Sequence, residues 1–323
     1  MIDIILPTYN GDKWITECLN SIVNQSYQNW NLYIVDDGST DRTLSIVQDY
    51  ITRKNESRIN VFNKKTQKGA PSSRMEFLSY SKSEYIAFID QDDFWHKDKL
   101  KLQIEQIVDN NCDLVFGNIE IIDPQSNIVL GKANNENLRR NHFDYSKTYI
   151  ELAKDIVLYC PIRIGTVLIS RSSLISSGGF DLSLTGGEDW EFWVRYICER
   201  NKISLLQKVV SYRRVHGENT SIINRIPRLR SWLSAADKIS KRYPYLECVI
   251  KDFYRNTYLK SIISMMREGN TAQVNLIDNV FKSRVNKKTR LLGVVIVKFW
   301  WVNSIFLRLL TKNYGLIFKV MNK

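Results

Sequence analysis

The first 120 or so residues alternate short apolar runs with stretches in which apolar side chains recur every three or four positions. Ile2–Leu6, Leu32–Val35, Ile59–Phe62, Tyr85–Ile89 and Asp113–Phe116 read as strands, recurring roughly every 27 residues, which is the spacing of βα units in a parallel sheet. Between the first two, Ile15, Leu19, Ile22 and Val23 share one helical face, and after the fourth, Leu100, Ile104, Ile107 and Val108 do the same. The pattern predicts an α/β fold with a Rossmann-like half. Residues 126–146 are polar and Asn-rich and read as a surface loop. Gly165–Ser170 reads as a further strand, and Trp190, Trp193, Val194 and Ile197 mark the apolar face of a helix whose first turn holds Glu188 and Asp189. Beyond Pro227 the pattern is almost wholly helical, with segments near 228–242, 245–267, 271–284 and 288–320.

Composition adds an appendage and a compartment. A chain of 323 residues with 44% hydrophobic content exceeds one typical domain length, which predicts a catalytic domain followed by a helical tail. The five cysteines are far apart, odd in number and without a C-x-x-C pair, which argues against a zinc knuckle and a disulfide framework and fits a reducing cytosol. The start, MIDIILPTYN, has no basic stretch before its apolar run and reads as a first strand rather than a signal peptide. The net charge of +12 is uneven: ten Lys or Arg and no acid fall between Phe281 and Lys323. A basic tail on a nearly neutral body lacks the basic stripe with exposed aromatics of a nucleic-acid binder. The apolar stretch beginning at Leu291 contains Lys298, Trp300, Trp301 and Asn303, so it suits an interfacial helix better than a clean span, the other reading being a helix packed on the catalytic domain. Its basic residues would meet anionic lipid at about 1 kcal/mol each. The expectation is a cytoplasmic protein, peripheral at the inner face of the cytoplasmic membrane through residues 285–323.

In a parallel sheet the ligand lies beyond the carboxyl ends of the strands. Three polar segments stand there: Pro7-Thr8-Tyr9-Asn10, Asp36-Asp37-Gly38-Ser39 and Asp90-Gln91-Asp92-Asp93. Clustered carboxylates repel and lose hydration unless a cation sits among them, so Asp90-x-Asp92 points to a hard divalent metal shared with phosphate oxygens. The same pattern also suits a solvated acidic turn. A fixed carboxylate after the second strand could accept the imide N–H of uracil, although Ser39, Thr40 and Asp41 are also good helix caps. At Gly186-Gly187-Glu188-Asp189-Trp190 a carboxylate at a helix N-terminus stays ionised, as a base toward a hydroxyl must, or simply caps the helix.

Taken in order, these segments resemble the family 2 inverting glycosyltransferases of the bacterial surface-polysaccharide type. The matching pieces are Ile-Leu-Pro-Thr-Tyr-Asn, Ile-Val-Asp-Asp-Gly-Ser-Thr-Asp, Gly69-Ala-Pro-Ser-Ser-Arg74, Phe-Ile-Asp-Gln-Asp-Asp-Phe-Trp, Gly-Gly-Glu-Asp-Trp-Glu-Phe-Trp and the run from Tyr212 to Ser221. They cover about residues 1–222. The resemblance implies a GT-A fold over 1–225, with a nucleotide-sugar-binding half (1–117) and an acceptor half (118–225), followed by a helical region over 226–323. It implies that Pro7, Thr8, Tyr9, Asp37, Arg74, Asp90 and Gln91 line the donor nucleotide. Asp92, with Asp90 and His216, would serve a divalent cation (Mn²⁺ or Mg²⁺), Asp92 being the preferred direct ligand. Asp189 matches the family's general base, and Glu188 and Trp190 fall on the acceptor side. Met75 stands where asparagine commonly follows the arginine. The implied partners are a UDP-sugar donor and a glycan or polyprenyl-diphosphate-linked acceptor, with a β-linked product. A metal-dependent nucleotidyltransferase is the other enzyme class these residues allow, and it would release pyrophosphate.

Overall fold

The computed structural model describes residues 1–64, 67–129, 147–217, 225–267 and 274–300. The chain divides into two compact units, Met1–Leu246 and Glu247–Lys323. The first contains an eight-stranded sheet built from β1 (Ile2–Thr8), β2 (Trp30–Asp36), β3 (Ile59–Asn63), β4 (Tyr85–Phe88), β5 (Phe94–Trp95), β6 (Leu114–Ile122), β7 (Val167–Ser170) and β8 (Ile203–Arg214), in the order β3-β2-β1-β4-β7-β6-β8-β5. Strands β3, β2, β1 and β4 run parallel, β7 runs against both its neighbours, and β5 runs against β8. Every residue of β1 is buried, as expected of a strand covered on both faces.

One side of the sheet is covered by α1 (Ile15–Val23), α2 (Thr43–Lys54) and α4 (Lys99–Asn110), and Ile15, Leu19, Ile22, Val47, Leu100 and Ile107 share one buried cluster with Leu32, Ile34, Ala87, Val115 and Val210 of the strands. Asn55 and Asn111 end α2 and α4 in the left-handed conformation, a C-terminal stop that asparagine tolerates. On α3 (Ala70–Leu78), Phe77 stacks on Tyr33 of β2 with ring centroids 3.9 Å apart.

Strands β5 and β8 are absent from the sequence reading for a physical reason. Strand β5 has only two residues, and β8 is bulged against β6: Gly117 pairs with Leu206, but Asn118 pairs with Val209. Gln207 and Lys208 therefore bulge into solvent and break the alternation. A Cβ on Gly117 would lie 2.6 Å from a methyl of Val210, so the bulge needs glycine there.

The remaining helices of this unit are α5 (Tyr149–Tyr159), α6 (Arg171–Ser176), α7 (Glu188–Cys198) and α8 (Arg225–Arg242). Thr148 and Glu151 form a reciprocal capping box that starts α5. Helix α8 belongs to the first unit: Trp232 stacks on Trp190 of α7 at 5.3 Å, and the compact unit continues to Leu246. The second unit holds α9 (Glu247–Arg267), α10 (Val274–Phe281) and α11 (Lys287–Trp300), where Tyr258 donates to Asp278 and Arg290 pairs with it. No helix among the described residues is long and apolar enough to cross a membrane. The surface loop expected over 126–146 falls outside the described residues from 130 onward, as does the expected membrane-facing tail from Trp301.

Helix α4 is tied to the sheet by two buried polar side chains. Gln103 donates to the carbonyls of Val115 (3.0 Å) and Thr166 (2.7 Å) and accepts from the Lys99 ammonium at 2.6 Å. Burial pushes the Lys99 ammonium well below its ordinary range, and the Trp95 ring lies 4.2 Å from it. Replacing Gln103 by leucine leaves three buried groups each short of a partner. Gln103→Leu should lower the unfolding free energy by about 2–4 kcal/mol. An unchanged urea midpoint would show that these groups find other partners.

Candidate active site

The crevice is built from the carboxyl ends of β1, β2 and β4, as a parallel sheet requires. Asp37 N donates to Thr8 O at 2.8 Å, locking the first two ends together. The third end joins them through Gln91, whose side-chain oxygen accepts from Tyr9 N (2.8 Å) and the Thr8 hydroxyl while its amide donates to Tyr9 O (2.9 Å). Gln91 thus clamps the Pro7–Tyr9 segment, and a Cβ on Gly11 would collide with that amide. Tyr9 remains exposed, whereas Thr8 and Asp37 are buried.

The Asp37 carboxylate accepts from Lys68 N at 3.0 Å and Gly69 N at 2.6 Å, with Lys64 Nζ 3.6 Å away. In this arrangement it holds the turn into α3, where Gly69 at φ 84° precedes Pro71 near the helix start. That turn aims Arg74 inward. The Arg74 guanidinium is 4% exposed, with Nη2 2.5 Å from Asp90 Oδ1 and Nη1 3.6 Å from Glu188 Oε1. Its Nε has no hydrogen-bond partner among the described residues. A residue of α3 therefore joins the end of β4 to the start of α7.

Helix α7 opens on Gly187 at φ 78°, and a Cβ there would lie 3.0 Å from the Trp232 ring, so glycine is required twice over. Glu188, Asp189 and Glu191 occupy the first turn, where free N–H groups and the helix dipole favour negative charge. Asp189 Oδ1 accepts from Trp190 N at 2.8 Å. Burial, and then the neighbouring Asp189, push the Glu188 carboxyl up to about 7 against the opposing pull of Arg74. Trp190, expected on the acceptor side, supports α7 from within the fold. It is wholly buried, donates from its indole nitrogen to Ile156 O at 3.1 Å and stacks on Trp232, so its ring anchors α7 within the fold.

At the far side of the crevice, His216 Nε2 lies 3.1 Å from Asp92 Oδ2. Strand β5 brings them together: directly after Asp93 the chain pairs Phe94 with Tyr212 and Trp95 with Ser211, which sets Asp92 beside the end of β8. Among the described residues no three His, Cys, Asp or Glu side chains cluster closely enough to hold a metal ion among themselves. Asp92 and His216 are an oxygen and a nitrogen donor, and Asp90 is held by Arg74 instead. Two such donors fit a hard divalent cation that completes its shell with phosphate oxygens and water. Sequence reasoning missed Arg214, Trp14 and Glu17, which surround this pair. Arg214 lay inside a recognised motif but is one of two adjacent arginines there, and only burial separates them.

A mixed sheet whose parallel strand ends carry this crevice is the GT-A arrangement of glycosyltransferases. Solved structures share it at low identity: the mannosyltransferase PcManGT from Pyrobaculum calidifontis, in complex with GDP-Man and Mn²⁺, matches with a TM-score of 0.60 and 16% identity over 98% of this chain and 84% of that one. TarS of S. aureus (residues 1–349), in complex with UDP-GlcNAc, matches with a TM-score of 0.56 and 19% identity over 88% of this chain and 93% of that one. The family model for glycosyl transferase family 2 matches residues 3–164, and the chain belongs to that family. An Escherichia coli relative, UDP-Glc:alpha-D-GlcNAc-diphosphoundecaprenol beta-1,3-glucosyltransferase WfgD, is 31% identical over 201 residues, which is 62% of this chain and 71% of that protein. Glycosyltransferase GlyG of Streptococcus pneumoniae serotype 4 is 32% identical over 118 residues, and the chain spans 38% of its length.

The raised Glu188 carboxyl has a thermodynamic signature. With its folded pKa about 7 and its ordinary value 4.5, the folded state binds more protons than the unfolded one between those values, so stability falls as pH rises through that window. Glu188→Gln removes this dependence. The unfolding free energy of the variant minus that of the parent should therefore rise by on the order of 2 kcal/mol from pH 5 to pH 8. A difference that stays flat across denaturant melts at those pH values would refute the assignment.

Proposed function

We propose that the chain transfers a hexose or N-acetylhexosamine from a UDP-sugar to a glycan acceptor linked to a lipid diphosphate, with inversion, in surface-polysaccharide assembly. The observation that carries this reading is the placement of Arg74 between Asp90 and Glu188. It sets the donor-side carboxylates and the helix carrying Asp189 against one buried cation. The naming of the E. coli relative, which takes UDP-Glc and forms a β-1,3 bond on a GlcNAc-diphospholipid, supports the donor nucleotide, the acceptor class and the β-linkage. PcManGT and TarS carry different nucleotides on similar folds, so the fold alone does not select uridine.

In this mechanism Thr8, Tyr9 and Asp37 receive the uridine, and Arg74 supplies positive charge toward the diphosphate. A divalent cation held by Asp92 and His216 would supply Lewis-acid stabilisation of the departing diphosphate. Asp189, in the first turn of α7, takes the acceptor hydroxyl proton, while Glu188 helps to seat the acceptor. With one base and no nucleophile interposed, a single displacement inverts the anomeric carbon, so an α-linked donor gives a β-linked product. We place the protein at the inner face of the cytoplasmic membrane, where the basic tail would meet anionic lipid.

UDP release from a panel of UDP-, GDP- and dTDP-sugars, with Mn²⁺ and a lipid-diphosphate sugar as acceptor, tests the proposal. One UDP-sugar should be turned over, and Asp92→Ala and Asp189→Ala should each reduce the rate by about 10²-fold or more. Chelation of the metal should act like Asp92→Ala. Pyrophosphate release from a nucleoside triphosphate, with no sugar transfer, would replace this reading by nucleotidyl transfer.

A further inference from the structure

Behind the Asp92–His216 pair stands an arginine that the reaction scheme does not use. Arg214 is 1% exposed, and its side chain donates to three different segments. Nε reaches Asp92 O at 3.1 Å; Nη1 reaches Asp123 O (3.1 Å), Pro124 O (3.1 Å) and Ser126 Oγ (3.0 Å); and Nη2 reaches Glu17 Oε2 at 2.5 Å. Its backbone N–H donates to Asp93 Oδ1 at 3.0 Å. Its guanidinium carbon lies 4.4 Å from the centre of the Trp14 ring, and the same ring lies 5.8 Å from the His216 ring. Ser126 closes the network by donating to Glu17 at 2.9 Å.

We infer that Arg214 is a positioning residue that sets the divalent-cation pair, holding Asp92 through its main chain and His216 through Trp14. The inference rests on the metal-assisted reading of that pair and adds residues to it. The physical case is one of geometry. A metal site tolerates little displacement of its donors, and groups behind the ligands commonly fix their orientation. Asp92 sits in the three-residue interval between Asp90, held by Arg74, and the short strand β5, and its carbonyl oxygen accepts from Arg214 Nε. Arg214 supplies that donor from inside the fold. Only a planar fork with five N–H groups can satisfy Asp92, the 123–126 turn and Glu17 at once, and a lysine ammonium offers a single point charge on a flexible stem. The network also joins the metal-side loop to the turn after β6, which leads into the acceptor half.

Binding of Mn²⁺ alone, followed by the loss of its free-ion EPR signal, tests this without any turnover. The parent, Arg214→Lys and Trp14→Leu should be compared with and without UDP, and UDP binding should be measured again in EDTA. Arg214→Lys should weaken Mn²⁺ binding about tenfold or more, and Trp14→Leu should weaken it in the same direction, while metal-free UDP binding stays within about twofold of the parent. Should Arg214→Lys fail to fold, Trp14→Leu decides, because the half-buried Trp14 ring lies against His216 and the Arg214 guanidinium while the hydrogen bonds of Arg214 stay in place. Folded variants with parental Mn²⁺ affinity would overturn the inference alone. Equal weakening of metal-free UDP binding would also overturn it, by making the effect a general loosening of the crevice. A parent that binds no Mn²⁺ with or without UDP would overturn the metal reading and this inference together.

Discussion

The buried guanidinium of Arg74 is the constraint on which the crevice depends. Asp90 and Glu188 come from segments almost 100 residues apart, and burial makes charge costly for Glu188. A cation between them offsets that cost and draws the end of β4 and the start of α7 into one site. Arg74 reaches this place because Asp37 holds the turn before α3 and because Gly69 permits the backbone reversal there. Donor-side architecture and the arrangement of the two carboxylates on α7 are thus parts of one structure.

A second cation, Arg214, does comparable work beneath Asp92 and His216. The two arginines divide the acidic strand end between them: Arg74 engages Asp90 through its side chain, and Arg214 engages Asp92 and Asp93 through their backbone and carboxyl oxygens. That division explains why Asp90 and Asp92, two positions apart on one loop, have different surroundings. Asp90 is paired with the Arg74 guanidinium, and Asp92 lies beside the His216 imidazole. Burial, and then the neighbouring Asp92 and Asp90, raise the carboxyl of Asp93 well above its ordinary range against the opposing pull of the Arg214 backbone N–H.

Packing, more than polarity, fixes α7. Trp190 lies flat against Trp232, and Gly187 lets that second ring approach the helix start. The aromatic residues of the Glu-Asp-Trp-Glu-Phe-Trp run are fully buried and bind the helix to α5 and α8, while Glu188 at its start lies 3.6 Å from the Arg74 guanidinium.

The sequence by itself determined the parallel half of the sheet and the location of the polar crevice. Apolar runs spaced by amphipathic helices read correctly for β1 to β4, β6 and β7, because strands buried on both faces and helices with one apolar stripe are local patterns. The ordered motifs were enough to indicate the family. The two-residue β5 and the bulged β8 carried no such pattern. Only the tertiary structure decided which charged groups meet, since the partners of Arg74, Asp92 and Arg214 lie tens to hundreds of residues away along the chain. It also decided that Trp190 is core and that Arg214 rather than Arg213 turns inward. Periodicity reports which face of an element is buried; it is the crossing of distant strand ends that sets which side chains share a buried volume, and with it their charge.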